Sequence, residues 1–163
     1  DCRACDEEES MLHLAECAVI RREFWSPLLK LLKDTGSPDP TDITTFLATT
    51  AINTDKVISK YHSVIWYLGW RCLYAATVES RIDKVPLDLE KALKRCVAML
   101  IGRLRAFGKR WKDWVHSGIQ HRQTKIIPLK HRNKKLTTQD VYGEYTIHPA
   151  IWQLAGDLNL TAN

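Results

Sequence analysis

The chain has 163 residues, 45% hydrophobic and 26% charged, an ordinary composition for a globular protein with one packed core. No run approaches the roughly 18 apolar residues of a membrane span, and the N-terminus lacks the basic start and apolar stretch of a signal peptide, so an intracellular protein away from membranes is expected. The net charge of +5 is unevenly divided: residues 1–83 hold 9 Lys and Arg against 13 Asp and Glu, residues 84–163 hold 15 against 6, and only the second half suits a polyanion.

Of the five cysteines, three fall in the first 17 residues beside a histidine. An odd number so placed argues against a disulfide framework and for a metal in a reducing compartment. Zinc takes four tetrahedral ligands from thiolate and imidazole, and a Cys-x2-Cys turn sets two sulfurs on one side of the ion. Cys2 and Cys5 supply that turn. His13 and Cys17, four apart, share one face of a helical turn and close the other side. The expected cofactor is one Zn2+ held by Cys2, Cys5, His13 and Cys17. With every position filled by protein, the site should be structural rather than catalytic. A chain that starts at Asp1 without an initiator methionine is also expected to be a piece of a longer polypeptide.

After the cysteine segment, Ile20, Phe24, Leu28, Leu31 and Leu32 recur at helical spacing between Val19 and Leu32. Pro27 interrupts them, so either the helix kinks there or Ser26 caps a new one with proline in its first turn. Residues 34–41 are a loop by composition, and Thr41 or Asp42 can cap a short helix to about Ala51. A third helix is predicted from about Asp55 to Arg81. Its apolar residues spread over most of its circumference, as in the buried centre of a fold. Cys72 lies in it, and Cys96 in the next helix; both read as small buried hydrophobes. His62 and Arg71 read as structural groups, and Trp66, Trp70 and Trp111 as core.

The longest predicted helix runs from Asp88 to about His116. Leu89, Leu93, Val97, Leu100, Leu104, Phe107, Trp111 and Val115 form its apolar stripe, while Lys91, Lys94, Arg105, Lys109 and Lys112 lie opposite, with Ala98 and Gly102 between them. Periodicity stops at Ser117. Lys125 to Leu129 reads as a short strand or extended arm, residues 130–135 as a charge run, and Pro149 to Leu154 as a last helical turn anchored by Trp152.

The N-terminal segment resembles the zinc-binding segment near the C-terminus of LINE-type (non-long-terminal-repeat) retrotransposon reverse transcriptases. The resemblance is carried by Cys2-Arg-Ala-Cys5, the acidic Asp6 to Glu9, Met11-Leu-His13-Leu-Ala-Glu-Cys17 and Phe24-Trp25. It continues more loosely in Val64-Ile-Trp66-Tyr-Leu-Gly-Trp70-Arg71, which is similar to the family's Trp-rich helix, and does not extend beyond about Arg81. It implies the same four ligands and a role in holding template RNA or target DNA for a polymerase in the parent polypeptide. It also implies a nuclear location with a cytoplasmic ribonucleoprotein stage. The spacing before His13 is longer than in retroviral nucleocapsid knuckles, and Glu7 to Glu9 would repel phosphate, so the nucleic-acid surface is expected elsewhere.

That surface is sought where Lys and Arg cluster. Residues 84–135 contain all 15 basic residues of the second half, with Asp88, Glu90 and Asp113 as their acids. The candidate contacts are Lys91, Lys94, Arg105, Lys109, Arg110, Lys112, Lys130, Arg132, Lys134 and Lys135, with Trp114, Tyr142 and Tyr145 as nearby stacking groups.

No nucleophile motif, phosphate-binding glycine loop or paired-carboxylate arrangement is found. The stretch Ser37-Pro-Asp39-Pro-Thr-Asp42 lacks the acidic-x-Lys element a nuclease would add, so this segment is expected to be non-catalytic.

The expected architecture is mainly α: a small domain of about four helices with an N-terminal CCHC zinc site and an irregular basic C-terminal arm. Residues 1–33 form the zinc segment and first helix, 34–116 the helical core domain and 117–163 the arm. The expected partners are RNA or DNA and the rest of the parent reverse transcriptase, with no membrane. The competing expectation is a non-catalytic protein-interaction scaffold descended from such an element, docking through Trp152, Tyr142 and the arm.

Overall fold

The computed structural model describes residues 1–36, 61–120 and 147–160, with side chains for all of these except 62, 63 and 107–120. Every regular element among the described residues is helical, in agreement with the mainly α expectation. The short helix from Thr41 or Asp42, the start of the third helix before Tyr61, and the strand or arm at 125–129 lie outside the described residues.

Helix α1 (Met11–Glu16) carries His13, and α2 (Ala18–Ile20) follows Cys17. The chain then passes through a π-helical turn, Arg21–Trp25, into α3 (Ser26–Asp34). Pro27 accounts for this path. Having no N–H, it cannot donate to the carbonyl four residues back, and a wider turn before it re-registers the ladder. Both the Ser26 amide and its hydroxyl donate to the Arg21 carbonyl, the hydroxyl at 2.7 Å. Kink and fresh cap are thus replaced by one continuous helical course. Phe24 and Trp25 both turn inward from it and are fully buried, with Ile20, Leu28 and Leu32.

Helix α4 (His62–Asp83) buries Ile65, Leu68, Cys72, Leu73, Thr77 and Ser80. It is less enclosed than its composition suggests. Tyr67 and Tyr74 are 46% and 59% exposed, Arg71 between them is exposed, and the three share one face by their spacing of four and three. Gly69 has a steric role: a Cβ there would lie 2.9 Å from Cζ3 of Trp25 and 3.3 Å from Cδ1 of Leu28. Glycine lets the indole lie against the α4 backbone, where it also meets Trp70 edge-on with centroids 5.0 Å apart.

Helix α5 (Leu89–Gln120) starts where Asp88 Oδ1 accepts the Lys91 amide at 2.9 Å, a side-chain N-cap. It runs past the expected end near His116. Leu89, Leu93, Val97, Leu100 and Leu104 are buried and Ala98 and Gly102 exposed, which matches the predicted stripe and its opposite face as far as Leu104; the side chains of Phe107, Trp111 and Val115 lie outside the described set. Cys72 and Cys96 are each 1% exposed, as a buried-hydrophobe role requires. Cys72 Sγ donates to Met99 Sδ at 3.7 Å. A hydrogen bond from Cys96 lowers the Cys72 thiol's pKa, and the same bond with burial raises that of Cys96.

Helix α6 (Pro149–Asp157) opens with proline in its first turn and buries Ile151 and Ala155. Ile151 is the anchor here, for Trp152 is 37% exposed. The helix ends in a Schellman motif: the amide of Leu160 donates to Ala155 O at 2.8 Å and that of Asn159 to Gly156 O at 3.0 Å, with Asn159 left-handed at φ 55°.

The chain divides into two compact units, Asp1–Leu100 with Pro149–Asn163, and Ile101–His148. The C-terminal helix thus falls in the same unit as the Cys/His segment and α4.

Candidate metal centre

The first five residues approach α1 through a tight turn. The Asp6 amide donates to Cys2 O at 2.9 Å, and Asp6 itself is left-handed at φ 65°, a conformation Asp tolerates better than most residues. Cys2 is fully buried at the start of this turn, and its Sγ accepts the Ala4 amide at 3.4 Å. Ser10 then starts α1. Its hydroxyl accepts the His13 amide at 3.0 Å, so the N-cap fixes the backbone of a ligand. Cys17 follows His13 by one turn and is 4% exposed.

The ligand atoms of Cys2, Cys5, His13 and Cys17 lie within 4.8 Å of one another, the only such cluster of Cys, His, Asp or Glu among the described residues. Tetrahedral ligands at zinc–sulfur distances of about 2.3 Å would stand roughly 3.8 Å apart, so a modest contraction closes the shell. Cys5 Sγ and His13 Nε2 are already 3.1 Å apart. The other imidazole nitrogen, Nδ1, lies 3.6 Å from Glu7 Oε2. A carboxylate there orients the ring with Nε2 toward the sulfurs, the arrangement common behind metal-bound histidines.

The electrostatics favour a cation. A hydrogen bond from the Glu7 backbone lowers the Cys5 thiol's pKa, but desolvation and the sulfurs of Cys17 and Cys2 outweigh it and push it up to about 11. The neighbouring sulfurs make ionisation of Cys5 costly, and a bound cation removes that cost. The four residues can therefore hold a metal ion.

The cluster is tied to the core at three places. Trp25 Nε1 donates to the Leu14 carbonyl at 3.0 Å, between the ligands His13 and Cys17. Arg3, between Cys2 and Cys5, reaches Ser80 and Val85 at the end of α4. Glu9 pairs with Arg81. Sequence reading assigned none of these three roles. Arg3 and Glu9 offered only the weak signal of charges inside a ligand loop, and Trp25 entered only through the Phe24-Trp25 part of the family resemblance.

The candidate nucleic-acid contacts separate into three groups. Lys91 Nζ lies 3.8 Å from Glu79 and Lys94 Nζ 3.0 Å from Glu90, while Arg95 adds a second cation to Glu79 at 3.0 Å. Arg95, with Lys91 behind it, holds the Glu79 carboxyl below its usual range. The first turns of the basic face are thus largely compensated. Arg105 is exposed. Lys109, Arg110 and Lys112 lie on the α5 backbone, but their side chains, with those of Trp111 and Trp114, are outside the described set; Lys130, Arg132, Lys134, Lys135, Tyr142 and Tyr145 lie outside the described residues altogether. Among the described residues no helix is long and apolar enough to cross a membrane.

Compared with models of protein families, with characterised proteins and with solved structures, the chain matches none.

Proposed function

We propose that this chain is a zinc-stabilised nucleic-acid-binding domain, of the kind that holds template RNA or target DNA for a LINE-type reverse transcriptase. Zinc is favoured over other ions by the donor set: three thiolates and one imidazole in a near-tetrahedral group suit it, and no oxygen ligand recommends magnesium or calcium. Four protein ligands leave no open position, which supports a structural site and a non-catalytic segment.

The observation that carries the nucleic-acid reading is a segregation of charge that follows the two compact units. Ile101–His148 holds 11 Lys and Arg against 3 Asp and Glu, while the rest of the chain holds 13 against 16. One unit is acidic and contains the metal ligands; the other carries a net +8 suited to phosphate. Arg105, Lys109, Arg110, Lys112 and the 130–135 run, which all lie in that basic unit, are the main proposed contacts.

A second reading, a protein-interaction scaffold, draws on the exposed Tyr67, Arg71 and Tyr74 face of α4 and on half-exposed Trp152, residue types that dominate protein interfaces. Salt separates the two. Binding of labelled single-stranded and duplex RNA and DNA should weaken steeply with salt and lose part of that slope when Arg105, Lys109 and Lys112 are neutralised. A folded, metal-loaded protein that binds none of these at low salt would instead favour the scaffold.

A further inference from the structure

The turn that carries Cys2 and Cys5 also carries Arg3, whose guanidinium is spent on a corner far away in sequence. Its Nε donates to Ser80 Oγ at 3.0 Å, and its Nη2 to the carbonyls of Ser80 at 3.4 Å and Val85 at 3.2 Å. Ser80, 2% exposed, in turn donates from Oγ to the Val85 carbonyl at 2.6 Å. Arg3, Ser80 and Val85 therefore close a triangle of hydrogen bonds around the end of α4.

The last carbonyls of a helix have no intrahelical donors, and Ser80 O is one of them. The next residue after α4, Lys84, is left-handed at φ 54° with a side chain that disfavours it. The corner then has to deliver the chain through Pro86 to Asp88, which caps α5. An ion pair between Glu9 and Arg81, one residue from Ser80, fastens the other side of the metal-ligand segment to the same place.

We propose that Arg3 makes the metal centre a clasp on the α4–α5 corner, so that metal binding between residues 2 and 17 orders residues 80–86. Arg3 is a positioning residue: it touches no metal, but a common ion held by Cys2 and Cys5 on either side of it would fix its backbone more firmly than the hydrogen bonds of the turn alone. Loss of the ion frees the turn, and the guanidinium then pays the entropy of ordering the whole N-terminal segment for three hydrogen bonds it can equally make to water. This inference rests on the metal reading above.

The test is amide hydrogen exchange on the intact chain, metal-loaded and chelated, with Arg3→Ala and Arg3→Lys beside the wild type and bound zinc counted for each. Chelation should raise exchange in 80–88 roughly tenfold or more together with α1. Loaded Arg3→Ala should keep its zinc and its α1 protection yet show the raised exchange at 80–88 alone, and Arg3→Lys, which lacks the forked donor, should fall near it. Unchanged exchange at 80–88 in loaded Arg3→Ala, or after chelation that opens α1, would overturn the clasp. A wild type that binds no zinc would sink the metal reading first, and a corner still protected in that protein would show that Arg3 acts without metal.

Discussion

Trp25 Nε1 donates to the Leu14 carbonyl at 3.0 Å, which places a fully buried core side chain in a direct bond with the helix that carries His13 and is capped by Cys17. Helix α1 has six residues, far fewer than the roughly 12–15 an isolated helix needs in water. It stands because its N-terminus is capped by Ser10, its C-terminal carbonyl is taken by Trp25, and His13 and Cys17 are available to a shared ion. Trp25→Phe would keep much of the ring but open a cavity and orphan the carbonyl. A loss of about 2–4 kcal/mol in denaturant unfolding is expected, with weaker metal retention.

Cys5→Ser should remove one thiolate and with it the metal's contribution to folding. The wild type should melt lower after chelation, and the variant should melt low with or without chelator. A wild type indifferent to chelator would show that the four residues do not hold a structural ion.

Gly69→Ala puts a methyl group 2.9 Å from the Trp25 ring, where an aromatic wedged against Phe24 and Trp70 has little freedom to retreat. Alanine's better helix propensity offsets only about 1 kcal/mol. Net destabilisation of about 1–2 kcal/mol is expected, read as a lower urea midpoint. Gly102→Ala, with open space around its Cβ, provides the control and should stabilise slightly.

Glu79 has its carboxyl held below its ordinary value by the Arg95 hydrogen bond first and by the charges of Arg95 and Lys91. A depressed folded pKa means stability fully present above the unfolded value and lost as pH falls through the folded one. The Tm of the wild type should therefore exceed that of Glu79→Gln at neutral pH, with the gap closing in acid and shrinking in high salt, because the pair is solvent-exposed. A gap that stays constant with pH would remove the ion pair as its cause.

Much of this was legible in the sequence because it is local. Cys-x2-Cys and His-x3-Cys fix ligands within a turn, and the α5 stripe follows from a period of 3.6 over several turns. The π-helical turn at Arg21–Trp25 was not, since Pro27 permits several local solutions and the choice depends on burying Phe24 and Trp25 together. The exposed face of Tyr67, Arg71 and Tyr74 on a helix expected to be a buried centre escaped for a related reason: apolar character spread around a helix shows what it can bury, and the neighbours it actually receives are set by distant segments. The bonds from Arg3 to Ser80, 77 residues away, have no local signature at all.

The central claim is that Cys2, Cys5, His13 and Cys17 hold one zinc ion, and X-ray absorption at the zinc edge on the purified, stoichiometrically loaded protein tests it most directly. The account predicts one zinc per chain with about three sulfur neighbours near 2.3 Å and one nitrogen near 2.0 Å. Zinc found with mainly oxygen neighbours, or none retained after dialysis, would contradict it.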